Sequence, residues 1–331
     1  MSNTHIVTGC AGFVGSHLCK ILLENGDSVI GVDSLVCGFE RNMIDFKGDN
    51  KFRFINADIR NLKLDDFPDL KYETIWHLAA RGELYFCRDN PIKAIDNNVN
   101  GTINMLNIAS KLKINHFYFA DTSAEYDNLE EDKYYPSSEN MAPTYNTPLG
   151  VYGITKMAAS QFVRSYGKNN NFGTTLFRYT NVYGNSMNIE RDIPPVVGSF
   201  CTALLSNKIC KIYGTGEKRR DFIHIDDINS FHLLAFNKRK NKFDTETFNV
   251  GCGINYSVNE IYEICYKHCM DINNNNNNLV INKPEQPNEA NITLANIKKA
   301  EIMLGWKPNV DINDGVKRTA TSIWKLLNDN N

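Results

Sequence analysis

His5-Ile6-Val7-Thr8-Gly9-Cys10-Ala11-Gly12-Phe13-Val14-Gly15 is the stretch that decides the fold. Apolar residues of strand character run into three glycines spaced three apart, and from Val14 to Glu24 the pattern is helical. A strand that enters a helix through a glycine turn opens a βα unit. Gly9 permits the tight turn, Gly12 lets backbone approach a pyrophosphate, and Gly15 lets the helix pack close to the strand. The helix start at Phe13 and Val14 then offers free N–H groups and a positive dipole end to phosphates. Three glycines alone also suit a plain structural turn. The context decides, because the next strand, Ser28 to Val32, is followed by Asp33. An acid there accepts hydrogen bonds from an adenosine ribose and repels a 2′-phosphate. No Arg or Lys follows until Arg41, so the expected cofactor is NAD and not NADP.

Working outward, further strands are expected at Phe52–Ile55, Thr74–Leu78, His116–Phe119 and Thr174–Arg178, with helices over Ala94–Leu112 and Tyr152–Tyr166. Strands that alternate with helices imply a parallel sheet covered on both faces, and right-handed crossovers make it doubly wound. The fold class is α/β, a Rossmann-type doubly wound parallel sheet with a smaller α/β substrate-binding domain. The first unit takes residues 1–180 with a returning segment around 221–250. The second takes 181–220 and 251–331, where Pro194, Pro195, Gly214 and Gly216 break the earlier rhythm. The asparagine run 273–278 reads as a solvated loop.

With 42% hydrophobic and 22% charged residues in 331, the chain is of ordinary globular composition. A net charge of -2 offers no basic field for nucleic acid or a membrane surface. No apolar run approaches a membrane span, and no leader pattern precedes the first strand, so a cytoplasmic protein is expected. The nine cysteines show no CxxC pair or zinc spacing; they read as reduced thiols, and no metal site is expected.

Other residues fall at the carboxyl ends of strands, where ligands of such sheets bind. Asp58, with Ile59, is placed to meet an adenine amino group, though a solvated loop acid fits equally. Leu78, Ala79 and Ala80 are small enough for close approach of a cofactor. His77 reads as a satisfied strand histidine. Tyr152 and Lys156 lie four apart on one helix face. A free tyrosine has a pKa near 10, about three units too high for a base at neutral pH. A nearby ammonium and a positive nicotinamide ring both favour the phenolate, so the pair can take a proton from a sugar hydroxyl. Lys156 can also bond the nicotinamide ribose. Thr122 or Ser123, at the end of the strand through Phe119, can bridge the substrate oxygen and Tyr152.

These residues, with several more, resemble one family. The ordered set is Thr8-Gly9-x-x-Gly12-x-x-Gly15, His77-Leu78-Ala79-Ala80, Asn98-Val99-Asn100-Gly101-Thr102 and Tyr152-x-x-x-Lys156. It continues with Arg178-Tyr179-Thr180-Asn181-Val182-Tyr183-Gly184, Arg220-Asp221-Phe222-Ile223-His224-Ile225 and Leu304-Gly305-Trp306-Lys307-Pro308. The chain resembles, over nearly its whole length, the extended short-chain dehydrogenase/reductases, specifically the NAD-dependent sugar-nucleotide epimerases and dehydratases. The resemblance implies that Thr122, Tyr152 and Lys156 are catalytic, with Ser123 beside the substrate. It implies that Asn98 lies at the nicotinamide side and that Tyr179 belongs to the cofactor site. Asn181 would hold the substrate diphosphate, Arg220 would pair with its phosphates, Phe222 would line the nucleotide pocket, and Glu289 would sit in the substrate site. The competing reading of Arg220 is an ion pair with Asp221.

Departures from the family bear on the reaction. Val-Tyr-Gly is common after the catalytic hydroxyl; here the sequence is Glu125-Tyr126-Asp127. The 4,6-dehydratases carry an acidic pair directly after the catalytic Thr, where this chain has Ser123 and Ala124. Glu125 is one residue off, and on a strand one residue reverses the side chain unless a bulge intervenes. Near Gln286-Pro287-Asn288-Glu289 the family often places Arg on a phosphate; Gln286 is neutral, leaving Lys218, Arg219 and Arg191 as replacements. Thr293 stands where a small residue admits an N-acetyl sugar. The expected activity is therefore a UDP-sugar 4-epimerase, with a dehydratase using Glu125, or another epimerase or reductase of this fold, as the alternative. The family also implies a homodimer, with Met105, Ala109, Ala158 and Phe162 suited to its helical seam or to the chain's own core.

Overall fold

The computed structural model describes residues 2–126, 135–141, 150–191, 193–238, 245–273, 279–287 and 289–329. The asparagines 274–278, Asp127 and Asn288 singled out above lie outside the described residues.

Seven parallel strands form the main sheet. They are β1 (Thr4–Thr8), β2 (Ser28–Asp33), β3 (Phe52–Asn56), β4 (Thr74–His77), β5 (His116–Thr122), β6 (Gly173–Tyr179) and β10 (Thr245–Val250). Their order is β10-β6-β5-β4-β1-β2-β3. The chain leaves β1 in one direction through β2 and β3, then returns to build outward on the other side from β4. The reversal opens a crevice over the carboxyl end of β1, where a doubly wound sheet binds its ligand. The Rossmann-type reading of the sequence is thus what the backbone adopts.

Period-two alternation explains why both sheet faces are covered. Val7, Trp76, Tyr118 and Phe177 face one core, which α1 (Phe13–Glu24) and α7 (Ile225–Asn237) close with Leu18, Ile228 and Phe231. Their neighbours Ile6, Ile75, Phe117 and Phe119 face the other, closed by α4 (Gly101–Leu112) and α5 (Val151–Asn170) through Leu106, Ala159 and Val163. The helix expected over Ala94–Leu112 starts earlier. Short α2 (Leu84–Asp89) and α3 (Pro91–Ile95) precede a π-helical turn at Asp96–Asn100 that runs into α4.

A smaller unit follows β6. Strand β7 (Asn181–Tyr183) pairs with β9 (Arg219–His224), and β9 with β11 (Asn255–Ser257). A second, parallel pair joins β8 (Cys210–Tyr213) to β12 (Val280–Lys283). Helices α6 (Val196–Leu205), α8 (Val258–Asn273) and α10 (Ile312–Asp329) enclose a third core around Phe200, Ile261 and Val316. The chain therefore visits the small sheet at β9, returns to the large sheet through α7 and β10, and leaves again; α9 (Lys298–Leu304) packs back beside β10. All nine cysteines are unpaired. Among the described residues no helix is long and apolar enough to cross a membrane.

Candidate active site

The glycine turn is crowded where it should be. Gly9 has φ +75°, and a Cβ there would stand 2.9 Å from the Ala79 amide nitrogen. A Cβ on Gly15 would fall 2.0 Å from the Gly9 carbonyl oxygen. Gly12 caps α1 in extended backbone with no side-chain hydrogen bond to the first turn, which leaves the amides of that turn without an intrahelical acceptor. Asp33 ends β2, with one carboxylate oxygen accepting from the Ala11 N–H at 3.0 Å and the other from the Leu35 N–H at 2.8 Å. Burial pushes its pKa up against those bonds. An open helix N-terminus, side-chain-free backbone and an acid at the next strand end fit a dinucleotide with a free ribose.

Other expected cofactor residues divide. Leu78, Ala79 and Ala80 line the end of β4, half-buried against the turn. Asp58 is held by Arg60, whose Nε lies 3.0 and 3.1 Å from its two oxygens and whose Nη2 lies 2.6 Å from one. Its carboxylate is tied into a surface ion pair, as the solvated reading had it. The Ile59 side chain is core, packed where a Cβ on Gly101 would come within 2.6 Å of it. Tyr179 is also turned inward, its hydroxyl 2.6 Å from His232 Nε2 in the core, so only its backbone can face a cofactor. His77 is satisfied by Thr8 at 2.7 Å and Thr102 at 3.0 Å, and burial holds its pKa down at about 3.

The three residues expected to be catalytic do come together. Thr122 closes β5, and α5 begins at Val151, so Tyr152 sits in its first turn and Lys156 one turn on. The Thr122 side chain lies at the Tyr152 phenol. Burial pushes the Tyr152 phenol up, while Thr122 and the Arg191 guanidinium draw it down. Lys156 is buried, its Nζ 3.9 Å from the centroid of the Phe119 ring. Burial pulls its pKa down to about 8, and Asp121 and Glu125 pull back upward. Asn98 lies in the π-helical turn, a feature that often marks functional positions. It accepts from the Arg81 N–H at 2.8 Å and donates to the Arg81 carbonyl at 3.1 Å and Thr155 Oγ1 at 3.0 Å.

Glu125 is not aimed at a substrate. Residues Ser123–Tyr126 form a 3-10 turn and not a continuing strand. The turn buries Glu125 completely and sets it 2.7 Å from Arg178 Nη2. Arg178 also donates to Asp121 at 3.2 Å and to the Tyr126 hydroxyl at 2.9 Å, and Tyr126 donates to Asn249 at 2.7 Å. Burial, with Asp121 close by, pushes the Glu125 carboxyl well above the usual carboxylate range. Ser123 is buried at the start of the turn and lines a narrow gap with Tyr126, Tyr135 and Thr293.

On the substrate side, Asn181 on β7 donates to the Asp221 carbonyl at 3.3 Å. Arg220 bonds the carbonyls of Arg219 at 2.9 Å and Asn291 at 3.3 Å and stands 3.9 Å from Glu289. It is not paired with Asp221. That acid is fully buried and accepts from the N–H groups of Cys252, Gly253 and Ala295 at 2.7, 3.0 and 3.2 Å. Burial pushes it up to about 6. Phe222 packs into the third core instead of lining a pocket. Glu289 accepts from the Tyr85 hydroxyl at 3.1 Å and lies 3.6 Å from Lys218, which also meets Glu285 at 2.7 Å. Arg219 is drawn to Glu260 at 3.0 Å, leaving Lys218 and Arg220 as the cations grouped at Glu289. Sequence reading missed Asp121, Arg81 and Glu83 in this region. Only Asp121 carried a signal, as an acid in a strand otherwise uncharged after His116.

Residues 5–251 match the model of the NAD dependent epimerase/dehydratase family. The chain belongs to this family. Its cofactor is NAD, as the turn and Asp33 predict. Over 318 residues this epimerase/dehydratase is 34% identical to a protein of Methanocaldococcus jannaschii named "Putative UDP-glucose 4-epimerase", covering 95% of this chain and 96% of the relative. It superimposes with a TM-score of 0.87 on the UDP-glucose 4-epimerase of Thermotoga maritima solved with UDP-glucose, at 28% identity, covering 98% and 99% of the two chains. The score is also 0.87, at 26% identity and the same coverage, for the UDP-glucuronic acid 4-epimerase of Bacillus cereus in complex with UDP-glucuronic acid and NAD.

Proposed function

We propose that this family member is a UDP-sugar 4-epimerase that works through a transient 4-keto sugar. The observation that carries the reading is the direction of Glu125. The site has a hydroxyl pair and an ammonium at Thr122, Tyr152 and Lys156, while the acids on either side of Thr122, Asp121 and Glu125, are both bound to Arg178 in the core. Such a site can move a proton on and off a sugar oxygen, and neither Asp121 nor Glu125 is free to serve as a base for the elimination of water. The names of the relatives, 4-epimerases of UDP-glucose and UDP-glucuronic acid, support the same reaction class.

Thr122 orients the sugar O4 toward Tyr152, which takes its proton and later returns it. Tyr152 needs a further cation to become a phenolate, since burial alone raises its pKa. Bound NAD supplies that positive charge and a reversible hydride acceptor for C4. Lys156 holds the nicotinamide ribose, and Asn98 fixes Arg81 to α5 beside it. Residues 1–180 with the returning segment hold the cofactor, and 181–220 with 251–331 hold the nucleotide sugar through Asn181, Lys218 and Arg220. Within α4, Met105 and Ala109 are fully buried in the chain's own core. A homodimer seam falls instead to the exposed Ile95, Ile154 and Phe162, at 43%, 44% and 40% exposure, with half-buried Ala158 between them.

The test is incubation of the protein with UDP-glucose, UDP-galactose, their N-acetyl forms and the two matching uronates. Interconversion of any C4 pair is expected. Dehydrated 6-deoxy-4-keto product without interconversion would overturn the reading.

A further inference from the structure

Arg178 binds its two acids in an unusual way. Nε and Nη2 make one edge of a guanidinium, and such an edge ordinarily takes both oxygens of a single carboxylate. Here Nε donates to Asp121 at 3.2 Å and Nη2 to Glu125 at 2.7 Å, so one edge holds two separate acids side by side. Two carboxylates in such contact, about 3 Å apart, do not both ionise readily. Each also has a second oxygen, Oδ1 of Asp121 and Oε1 of Glu125, that is buried without a hydrogen-bond partner among the described residues. Ionised carboxylates only accept, so a proton carried by one acid and donated to the other engages both of these atoms. Burial and the nearness of Asp121 raise the Glu125 carboxyl accordingly.

The pair lies under α5. Side chains two apart on a strand share a face, so Asp121 follows Phe119 about 7 Å further along β5. Phe119 is the ring on which the Lys156 ammonium rests, at 3.9 Å. Arg178 stands opposite Asp121 in the pairing of β5 with β6, and the 3-10 turn that carries Glu125 packs against α5. A ring face is a weak counter-charge for a buried ammonium, and the acids beyond it draw the Lys156 pKa upward. Other groups face the pair. Arg164, about two turns beyond Lys156 on α5, donates to Thr247 at 2.8 Å and adds a cation. The Tyr126 hydroxyl and the Glu139 carbonyl take Nη1 of Arg178 at 2.9 and 2.6 Å, while the Glu139 carboxylate accepts from the Asn249 N–H at 3.0 Å. The Tyr152 phenol feels Asp121 from the start of α5.

We infer that Asp121 and Glu125 share one proton and act through Lys156: as pH rises the pair releases that proton before Lys156 releases its own, and the charge left behind keeps Lys156 an ammonium. This rests on the reading of Lys156 as the group that holds the nicotinamide ribose in the proposed 4-epimerase. The order of release follows from the charges. With its proton the pair carries one negative charge, set against Arg178. Without it, the second negative charge meets three cations, Lys156, Arg164 and Arg178, and one like charge. Loss of the Lys156 proton would forgo those attractions and leave an uncharged amine at the ribose. The two acids titrate as a unit. Neither reaches the sugar; they are positioning residues, and their effect is to widen the pH range over which the ribose is held.

The experiment follows NAD binding by calorimetry as pH is raised from neutral, in the wild type, Glu125→Gln and Asp121→Asn. Either substitution leaves one fixed negative charge and no shared proton. The alkaline loss of NAD affinity should then set in at least about one pH unit lower than in the wild type. A purely structural role would weaken binding alike at every pH, so a midpoint that stays in place or moves upward would overturn the inference. Infrared spectroscopy reads the proton itself. Wild-type minus variant spectra near neutral pH should show a carboxylic-acid C=O band, the same for both variants, because the acid that remains is ionised. Absence of that band would overturn the shared proton. Where a variant does not fold, the wild type decides alone: its carboxylic-acid band should vanish as pH rises above neutral, and a spectrum without such a change would overturn the inference. The infrared readout needs neither turnover nor a nucleotide. A titrating band and a shifted midpoint in a protein that interconverts no C4 pair would refute the 4-epimerase reading and leave the acid pair standing.

Discussion

Replacing Gly15 by alanine tests the cofactor cradle at its tightest point. The added methyl would stand 2.0 Å from the Gly9 carbonyl oxygen and 2.7 Å from the carbonyl carbon. A carbon and a carbonyl oxygen settle no closer than about 3.3 Å, so the two backbones must part by roughly 1.3 Å. Gly9 has little room to yield. Its N–H donates to the Val32 carbonyl at 2.8 Å, and its far side rests against the Ala79 backbone. The helix must move instead, and with it the N–H groups at Phe13 and Val14 assigned to the phosphates. Overpacking ordinarily costs about 1–3 kcal/mol, and a backbone-to-backbone clash belongs at the upper end. If the displaced helix start loses about 3 kcal/mol of phosphate interaction, NAD binding weakens by about 100-fold. Gly12→Ala, with its contact at 3.1 Å, should show a smaller loss, and Gly48→Ala, with nothing within 4 Å, should behave as wild type. Calorimetric titration of NAD into the three variants reads the series. Gly15→Ala binding NAD within threefold of wild type would refute the steric reasoning.

Tyr152→Phe keeps the ring and removes the proton carrier. Binding of NAD and UDP should stay within about twofold while turnover falls about 10²–10⁴-fold, as read from product ratios by chromatography. Asp221, pushed up to about 6 by burial, holds its proton more tightly in the native state than in the unfolded chain. Its stabilising contribution is therefore full below the usual carboxylate pKa and lost as pH rises through 6. The advantage of wild type over Asp221→Asn in urea unfolding should shrink by about 1 kcal/mol between pH 5 and pH 7.5; an advantage that grows over that window would contradict the assignment. Phe162→Glu places a charge among the exposed apolar side chains of α5. Light scattering should give a dimer for the wild type and a monomer for the variant, and a monomeric wild type removes the seam.

What could be read from the sequence is what local spacing dictates. The parallel sheet covered on both faces followed from strands that alternate with helices, and side chains such as those of Phe117-Tyr118-Phe119 divide between its two cores. Thr122, Tyr152 and Lys156 were legible because each sits on a regular element whose end faces the crevice. The direction of a side chain outside such a repeat was not. Phe222 packs into the core and Tyr179 bonds His232, because their partners are brought by α6, α8 and α7, which no local pattern announces. Asp58 was legible as an acid but not as the partner of Arg60, whose other end is fixed by Asp96, 36 residues away.

Glu125 shows why this distinction reaches the reaction itself. One position along the chain separates an acid beside Thr122 from an acid beneath it. Strand periodicity predicted that a single step reverses the side chain, and a bulge would have cancelled the reversal. The protein does neither, since it leaves the strand for a 3-10 turn. Within that turn the outcome is set by Arg178, 53 residues on, whose buried guanidinium requires compensating acceptors and takes Glu125 and Asp121 as two of them. The cation that closes the core thus also holds the acid on which the dehydratase alternative was built. The prediction that separates the two roles is Glu125→Gln. It keeps the shape, withdraws a charge from Arg178 and should lower stability in urea unfolding near pH 8. It should leave the C4 chemistry at Thr122 and Tyr152 in place, with kcat within about tenfold of wild type. A loss of turnover as deep as that of Tyr152→Phe, in a variant that still binds NAD, would return Glu125 to the catalytic site and the dehydratase to contention.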